Sequence, residues 1–205
     1  MWQDRTQAGD ELARELGDYA DTPSAIVLGI PRGGVEVARR VADRLRLPLD
    51  IVVVRKIGAP GAPEFAAGAV DADGNVYANP YALVTDEWLR QAAVPERAEI
   101  LRRADAYREG RAAPDVTGKT VLVVDDGIAT GLTARAAVRW LRLRGASRVV
   151  IAAPVIAPDT VAMLAADAED VVALESPRGF GAVGAYYADF PQLTDASVVR
   201  LLAGR

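Results

Sequence analysis

Two adjacent carboxylates, Asp125 and Asp126, lie between four apolar residues and a loop of small residues in VLVVDDGIATGLT, residues 121–133. A Gly/Thr turn that opens a helix suits an anion, because free backbone N–H groups point outward and the helix dipole favours negative charge. Ionised carboxylates only accept hydrogen bonds, so they suit ligand hydroxyls. The segment therefore predicts a ligand in which a phosphate lies a few ångströms from a pair of hydroxyls, the layout of a ribose 5-phosphate.

The loop after the two carboxylates is the predicted phosphate site. We expect the 2- and 3-hydroxyls of the ribose to meet Asp125 and Asp126, and the 5-phosphate to meet N–H groups and hydroxyls of the loop. The loop residues assigned to binding of this phosphate are Ala129, Thr130, Gly131 and Thr133, and Gly127 is a further residue expected to contact the ligand. The alternative is structural: Asp126 only caps the helix, and Asp125 ends a strand in solvent.

A second glycine loop, GIPRGGVEVA at residues 29–38, follows another apolar run. Arg32 precedes Gly33, Gly34 and a predicted helix, so backbone N–H groups can approach a second anion closely. We expect that anion to be a pyrophosphate. An ordinary glycine turn between a strand and a helix is the alternative.

Two further cations, Arg55 and Lys56, follow the apolar run at residues 51–54 and are expected at the same edge of the sheet as Arg32. Arginine bonds phosphate oxygens in a bidentate fashion, so the three side chains could converge on the charges of a pyrophosphate. The alternative is that Arg55 and Lys56 only extend from a strand terminus into water. The Gly- and Pro-rich segment from Ile57 to Phe65 is predicted to be a mobile loop that closes over the site.

The composition removes several kinds of chemistry. The chain of 205 residues has no His and no Cys, which excludes disulfides, thiolate metal sites, cysteine nucleophiles and histidine bases. With 24 Lys and Arg against 28 Asp and Glu the chain is mildly acidic, which argues against a nucleic-acid partner. The charged N-terminus and the lack of a long apolar segment predict a cytoplasmic protein with no membrane partner.

Short β-branched apolar runs alternate with amphipathic helical patterns along the chain. The runs predicted as strands are residues 25–30, 51–55, 121–125, 149–155 and 171–174. Apolar stripes over residues 37–45 and 134–141 predict helices, and Asp4 is expected to cap a first helix that ends near Gly17. This alternation predicts an α/β fold with a central parallel sheet, whose carboxyl edge carries the site.

Three segments depart from the alternation. DADG, residues 71–74, lies between two apolar runs and predicts a projecting β-hairpin. Residues 95–109 predict an amphipathic helix that begins at Pro95 and ends at Gly110. Its arginines are expected to form a solvated face: Arg97, Arg102, Arg103 and Arg108. Residues 175–195 carry four aromatic side chains that could stack on a planar ring: Phe180, Tyr186, Tyr187 and Phe190.

The segment VLVVDDGIATGLT resembles the motif with which type I phosphoribosyltransferases bind phosphoribosyl pyrophosphate (PRPP). GIPRGGVEVA resembles the pyrophosphate loop of that family, and VVVRKIGAPGAPE, residues 52–64, resembles the strand that leads into its mobile catalytic loop. The match spans residues 22–175, and RKIGAPGAPEFAAGAV is most similar to a bacterial subgroup of predicted phosphoribosyltransferases. Two positions differ from many members: Gly127 replaces a branched apolar residue, and Leu132 replaces a glycine.

The resemblance implies a type I phosphoribosyltransferase fold in a single domain over residues 1–205. It comprises a core at 20–175, an insertion of hairpin and helix at 64–112, and a small hood at 175–205 that covers the acceptor. The implied activity is the transfer of ribose 5-phosphate from PRPP to a nitrogenous base or similar small-molecule acceptor. The four aromatic residues of the hood are the acceptor-binding candidates.

The resemblance also assigns roles to individual residues. Arg32, Lys56 and Asp126 are the expected catalytic residues. Mg²⁺ is the implied cofactor, held through PRPP, with Asp125 as the candidate protein ligand. We further expect a homodimer, a role in nucleotide metabolism and a cis peptide bond from Pro31 to Arg32.

Two other functions remain open at this point. One is a PRPP-binding regulator that keeps the pocket without turnover. The other is a ribose-phosphate binding module within a complex, with the helix from Pro95 as the partner surface. An assay for PRPP-dependent release of pyrophosphate separates the transferase from both.

Overall fold

A computed structural model describes residues 1–204, which form an α/β fold of two sheets flanked by helices. The strands are β1 Ala25–Gly29, β2 Leu49–Ile51, β3 Arg55–Ala59, β4 Ala62–Val70, β5 Val76–Ala78, β6 Thr120–Val124, β7 Arg148–Val155 and β8 Asp170–Glu175. The helices are α1 Arg5–Glu15, α2 Gly33–Leu45, α3 Asp86–Arg108, α4 Leu132–Leu143, α5 Pro158–Ala165 and α6 Asp195–Leu202. Short 3-10 helices span Gly17–Tyr19 and Val183–Tyr186.

The central sheet has five parallel strands in the order β2-β1-β6-β7-β8. Its middle strands are buried on both faces: Val27 and Leu122 pack in the core cluster that includes α1 and α2, whereas Leu28 and Val123 pack in the cluster that includes α4. Burial on both faces explains why these strands read as continuous apolar runs. The predicted α/β fold with a central parallel sheet is confirmed.

The second sheet is antiparallel and contains the predicted hairpin. β4 pairs with β3 on one side and with β5 on the other. The turn between β4 and β5 is held by Asp71, whose buried carboxylate accepts hydrogen bonds from the backbone N–H groups of Asp73 and Asn75 (both 2.9 Å) and from the Tyr77 hydroxyl (2.6 Å). The hairpin prediction at residues 71–74 is therefore confirmed.

The predicted strand at residues 51–55, beside this sheet, is wrong. Residues 51–55 are not one strand, because β2 ends at Ile51 and Arg55 begins β3. The intervening valines stay buried as the chain crosses between sheets, and the Val52 N–H donates to the Gly29 carbonyl (3.1 Å). A β-branched apolar run suits such a buried crossing as well as it suits a strand.

The predicted loop from Ile57 to Phe65 is also largely a hairpin of β3 and β4, with a turn at Gly61 (φ 73°). Gly58 serves close strand packing, since a Cβ there would lie 2.7 Å from the Pro63 carbonyl oxygen. Glycine and proline thus supply strand packing and the turn in this segment. Closure of the segment over the site stays a prediction.

Helix α3 begins at Asp86, so the prediction that it begins at Pro95 is wrong. Thr85 caps the helix by accepting a hydrogen bond from the Trp88 N–H (3.2 Å), and the helix continues through Pro95. The predicted end is confirmed, because Glu109 and Gly110 both adopt positive φ after the last turn.

The arginines of α3 do not form one solvated face. Arg108 is buried, and its guanidinium donates to the Asp50 carboxylate (2.8 Å) and to the Ile51 carbonyl (2.9 Å). Arg108 therefore ties the end of α3 to β2, and the solvated-face prediction is wrong for this residue.

The first residues of the chain pack against its C-terminal segment. Asp4 caps α1 as predicted, accepting a hydrogen bond from the Gln7 N–H (2.8 Å). Trp2 forms a parallel bridge with Tyr187, with the Trp2 N–H donating to the Tyr186 carbonyl (2.8 Å). None of the helices in residues 1–204 combines the length and the apolar character needed to cross a membrane.

Candidate active site

The two glycine loops meet because β1 and β6 are neighbouring parallel strands. Gly29 pairs in register with Val124, and the Ile30 N–H donates to the Val124 carbonyl (2.8 Å). The loop after Ile30 therefore lies beside Asp125 and Asp126 at the carboxyl edge of the sheet, as the alternation of elements predicted. The peptide bond from Pro31 to Arg32 is cis, as the resemblance implied.

An open cavity of about 340 Å³ lies over this junction. It is lined by these predicted binding residues: Arg32, Gly33, Arg55, Lys56, Asp125, Asp126 and Thr133. Five others lie outside its lining: Gly34, Gly127, Ala129, Thr130 and Gly131. The structure thus brings together the candidates for the ribose hydroxyls and for the pyrophosphate, while Thr133 alone of the phosphate loop borders the same space.

Each carboxylate of the pair uses one oxygen within the protein. An Asp125 oxygen, Oδ1, accepts a hydrogen bond from the Asp126 N–H (2.8 Å), and Asp126 Oδ2 accepts one from Arg5 Nε (2.8 Å). Within residues 1–204 the second oxygen of each has no hydrogen-bond partner. Two acceptor oxygens are therefore available to a pair of ligand hydroxyls.

Burial, together with the adjacent charge of Asp126, raises the pKa of the Asp125 carboxyl well above its ordinary value. Folding therefore disfavours the ionised form of Asp125.

The glycines of the second loop make room for these carboxylates. A Cβ on Gly33 would lie 1.9 Å from Asp126 Oδ2, and a Cβ on Gly34 would lie 2.7 Å from the Asp125 Cα. Both distances are far below van der Waals contact, so a side chain at either position would displace a carboxylate or the backbone. Gly34 therefore serves the site through packing, although it does not line the cavity.

The predicted cations each face one carboxylate. The pairs are Arg32 with Asp195 (3.8 Å), Arg55 with Glu96, and Lys56 with Glu64 (3.3 Å). Glu64 is 96% exposed, and exposed ion pairs contribute at most about 1 kcal/mol. A multiply charged anion can therefore replace such a partner at low cost.

The predicted phosphate loop joins β6 to α4. Gly131, with φ at 69°, is the N-cap of α4, so the alternative in which Asp126 caps this helix is wrong. The loop is anchored from α5, because the Thr160 hydroxyl donates to the Ala129 carbonyl (2.5 Å). Ala129 and Thr130 are exposed. Both residues lie at the N-terminal end of a helix, where the dipole favours an anion.

The departure at Gly127 has a structural cause. A Cβ there would lie 2.4 Å from Val183 Cγ1 and 3.1 Å from Val155 Cγ1. Val183 belongs to the C-terminal segment, and its side chain occupies the space that a branched residue at position 127 would need. This loop therefore packs directly against the segment predicted to form the hood.

The four candidate aromatics form two stacked pairs. Tyr187 is buried, donates its hydroxyl to the Asp126 carbonyl (2.5 Å), and stacks on Phe190 with ring centroids 4.8 Å apart. Phe180 and Tyr186 stack on each other at 5.6 Å and are partly exposed. None of the four lines the cavity, so acceptor binding by these residues stays a prediction.

Comparisons with known proteins assign the chain to a family. The model of the phosphoribosyl transferase domain family matches residues 2–188. The chain belongs to this family. Proteins of two Mycobacterium tuberculosis strains, CDC 1551 and H37Rv, are 44% identical over 98% of the chain, and their names assign them provisionally as phosphoribosyl transferases. The chain spans 46% of the length of these two relatives.

Solved structures share the fold. The crystal structure of TT1426 from Thermus thermophilus is 45% identical, with a TM-score of 0.85, and the match covers 99% of this chain and 98% of that one. The AQ2163 protein from Aquifex aeolicus is 13% identical with a TM-score of 0.51, over 82% of this chain and 73% of that one. The second likeness concerns the fold alone.

The sequence did not predict the positions of two cations, Arg103 and Arg5, at the site of this phosphoribosyl transferase domain. Arg103 of α3 lines the cavity, so the solvated-face prediction is wrong for it as well. Arg103 also donates to the Glu99 carboxylate one turn away (2.6 Å), and this i,i+4 spacing in the sequence is typical of a surface ion pair. Arg5, at the start of α1, bonds Asp126 across 121 residues of sequence, and no local pattern signals a contact of that range.

Proposed function

We propose that this domain transfers the ribose 5-phosphate of PRPP to a nitrogen of a base or a similar small acceptor, with release of pyrophosphate. The proposal rests on one observation: Asp125 and Asp126, each with one oxygen that has no hydrogen-bond partner within residues 1–204, line the same cavity as Arg32, Arg55 and Lys56. A ligand that satisfies this cavity needs adjacent hydroxyls and a multiply charged anion. PRPP carries both on one ribose.

The chain has no His or Cys, so its contribution to the reaction is positioning and charge. Asp125 and Asp126 orient the ribose through its hydroxyls, and the N-terminal end of α4 holds the 5-phosphate. As the bond from C1 to the pyrophosphate breaks, Arg32 and Lys56 donate hydrogen bonds to the oxygens on which negative charge develops. The acceptor nitrogen then forms its bond to C1 and gives up any N–H proton to solvent, and no protein nucleophile takes part.

Mg²⁺ fits the donor set of this cavity. Within residues 1–204 no group of three or more acidic, His or Cys side chains could hold a metal by itself. Mg²⁺ suits such a site, because it binds through one or two carboxylates together with substrate phosphates and water. The free oxygen of Asp125 is the donor that this chain would supply. The bound ion would neutralise the diphosphate and make the pyrophosphate a better leaving group.

The acceptor site is proposed in the C-terminal segment. Phe180 and Tyr186 are its candidates for stacking, because they form a partly exposed pair. Tyr187 is buried, and Phe190, although partly exposed, is engaged by Tyr187 and by the Arg5 guanidinium. A planar ring stacked on an aromatic side chain contributes about 1–3 kcal/mol. The homodimer, the cytoplasmic location and the role in nucleotide metabolism remain predictions from the sequence.

Two measurements test the proposal. PRPP with Mg²⁺ at a hundredfold excess over its dissociation constant should stabilise the domain by about 2.7 kcal/mol, seen as a higher melting temperature. A panel of nitrogenous bases, supplied with PRPP, should then include one that elicits release of pyrophosphate. No shift at millimolar PRPP would contradict PRPP binding, and a shift without release for any base would favour the regulator over the transferase.

The carboxylates provide the matched variant for both measurements. Asp125→Asn with Asp126→Asn keeps the shape of the side chains but removes both charges, and it replaces acceptor oxygens with donors. PRPP affinity should fall by about tenfold or more, which corresponds to about 1.4 kcal/mol. Unchanged calorimetric affinity in the folded double variant would contradict the ribose assignment.

A further inference from the structure

Arg5 is a buried cation with four different partners. Its side chain is 5% exposed, and it lies at the first position of α1, far in sequence from the motifs of the site. Nε donates to Asp126 Oδ2 (2.8 Å), and Nη1 donates to the Pro191 carbonyl (2.9 Å). Nη1 also lies 3.9 Å from the Glu36 carboxylate. The guanidinium carbon also lies 3.8 Å from the ring centre of Phe190. One planar group thus connects the N-terminal helix, the Asp126 carboxylate and the C-terminal segment.

The contact fixes which oxygen of Asp126 faces the cavity. Oδ2 is enclosed by Arg5 Nε on one side and by the backbone of Gly33 on the other, where even a methyl group would lie 1.9 Å away. Rotation of the carboxylate would break a charge-assisted hydrogen bond in a buried setting. Oδ1, which has no hydrogen-bond partner within residues 1–204, is therefore the oxygen left to accept a bond from a ligand.

Arg5 is placed by contacts that lysine could not reproduce. A guanidinium presents donors in a rigid planar fork, so one side chain can bond a carboxylate and a carbonyl while stacking on a ring. An ammonium group is a compact charge and could keep one of these contacts. The Trp2–Tyr187 bridge holds the start of α1 against the C-terminal segment, which fixes the position of the Arg5 backbone.

We propose that Arg5 is a positioning residue that holds Asp126 in the orientation required to bind the ribose hydroxyls of the substrate. The inference rests on the proposed function, because it assumes that Asp126 binds ribose. It adds a residue outside the recognised motifs, and it makes α1 a part of the binding site. Arg5 itself is held by the four protein partners named above and is not among the residues that line the cavity.

A double-mutant cycle on PRPP affinity tests this role. The variants are Arg5→Met, Asp126→Asn and the two combined, and dissociation constants for PRPP with saturating Mg²⁺ are measured by calorimetry. Methionine keeps an aliphatic stem but loses the guanidinium, and with it every hydrogen bond and the contact with Phe190. Arg5→Met should weaken binding by about tenfold or more, and the double variant should bind no worse than about twofold below the weaker single variant.

Additivity separates positioning from a general structural role. If Arg5 only supports the packing of α1, the two losses multiply in the double variant, and the proposal is overturned. The proposal is equally wrong if folded Arg5→Met binds PRPP within about twofold of the wild type. Arg14→Met, an exposed arginine of the same helix, is the matched control and should bind as the wild type does.

Two further measurements, on the wild type and on Arg5→Lys, separate failure of the proposed function from failure of the role of Arg5. If the wild type itself fails to bind PRPP, the proposed function is wrong and the role of Arg5 falls with it. If Arg5→Met does not fold, Arg5→Lys carries the same cycle, because it retains the charge and one hydrogen bond. We expect Arg5→Lys to weaken PRPP binding by about three- to tenfold, and full affinity in that variant would overturn the proposal.

Discussion

Gly33→Ala is the smallest change that tests how the two loops build the ribose site. The added Cβ would lie 1.9 Å from Asp126 Oδ2 and 3.1 Å from Arg5 Nε. The carboxylate is the end of a flexible side chain, so we expect it to rotate while the backbone stays in place. That rotation breaks the 2.8 Å bond from Arg5 and moves the acceptor oxygen away from a bound ribose.

The size of the effect follows from the bonds that are lost. A hydrogen bond to a charged group contributes about 1.5–3 kcal/mol, and about 1.4 kcal/mol corresponds to a tenfold change in affinity. Loss of one bond from Asp126 to a ribose hydroxyl therefore predicts PRPP binding weaker by about 10- to 100-fold. Folding should lose about 1–3 kcal/mol, less than the deletion of one partner of a buried pair, because the rotated carboxylate can reach water in the cavity.

Calorimetry with PRPP and Mg²⁺ measures the affinity, and thermal unfolding measures the stability. Gly17→Ala is the matched control, because a Cβ at that position would meet no atom within 4 Å. It should leave both quantities unchanged. If folded Gly33→Ala binds PRPP within about twofold of the wild type, Asp126 does not bind the ribose in the observed orientation and the reasoning is refuted.

Three further predictions concern the charges and the aromatics. Arg32→Ala or Lys56→Ala should lower kcat by about 10²- to 10³-fold with a smaller effect on PRPP binding, and loss of affinity at unchanged kcat would assign the residue to ground-state binding instead. Asp125→Asn should raise the melting temperature at neutral pH, because the raised pKa of Asp125 means that the carboxyl destabilises the fold as the pH rises above the ordinary value of 3.8. The gain in melting temperature should vanish below that pH, and an unchanged melting temperature at neutral pH would contradict the prediction. Once an acceptor is known, Phe180→Leu or Tyr186→Leu should raise its KM while PRPP binding is retained, and wild-type acceptor kinetics in both would move the search to α3.

The motifs were predictable from the sequence because each depends on neighbouring residues. An apolar strand, two carboxylates and a Gly/Thr turn occur within residues 121–133, and the parallel pairing of β1 with β6 places the second loop beside them. Alternating strands and helices suffice to predict that pairing and the shared carboxyl edge. The pairing of β1 with β6 accounts for the convergence of Arg32 and Asp126 on one cavity. Lys56 reaches that cavity from β3 of the second sheet, which the alternation did not predict.

The remaining parts of the site were not predictable, because their signals are either ambiguous or remote. Gly58 and Gly61 are typical of a loop, yet they allow close strand packing and a turn in the hairpin of β3 and β4. Arg103 pairs with Glu99 at a spacing typical of surface ion pairs, although the Arg103 side chain lines the cavity. Arg5 meets Asp126 only after α1, β6 and the C-terminal segment have packed together.

The placement of two carboxylates beside an anion-binding loop has a physical explanation in these contacts. The buried Arg5 guanidinium stabilises the charge of Asp126, while Asp125 is stabilised by little more than one backbone N–H and has a raised pKa. The site thus pairs Asp126 with a permanent cation and leaves the charge of Asp125 destabilised. Ligand hydroxyls or a bound cation can stabilise that charge. A permanent hydrogen-bond partner within the protein could stabilise Asp125, but it would occupy the oxygen that the ribose needs. We therefore expect stabilising substitutions at Asp125 to weaken PRPP binding, whereas substitutions of Arg5 should weaken both stability and binding.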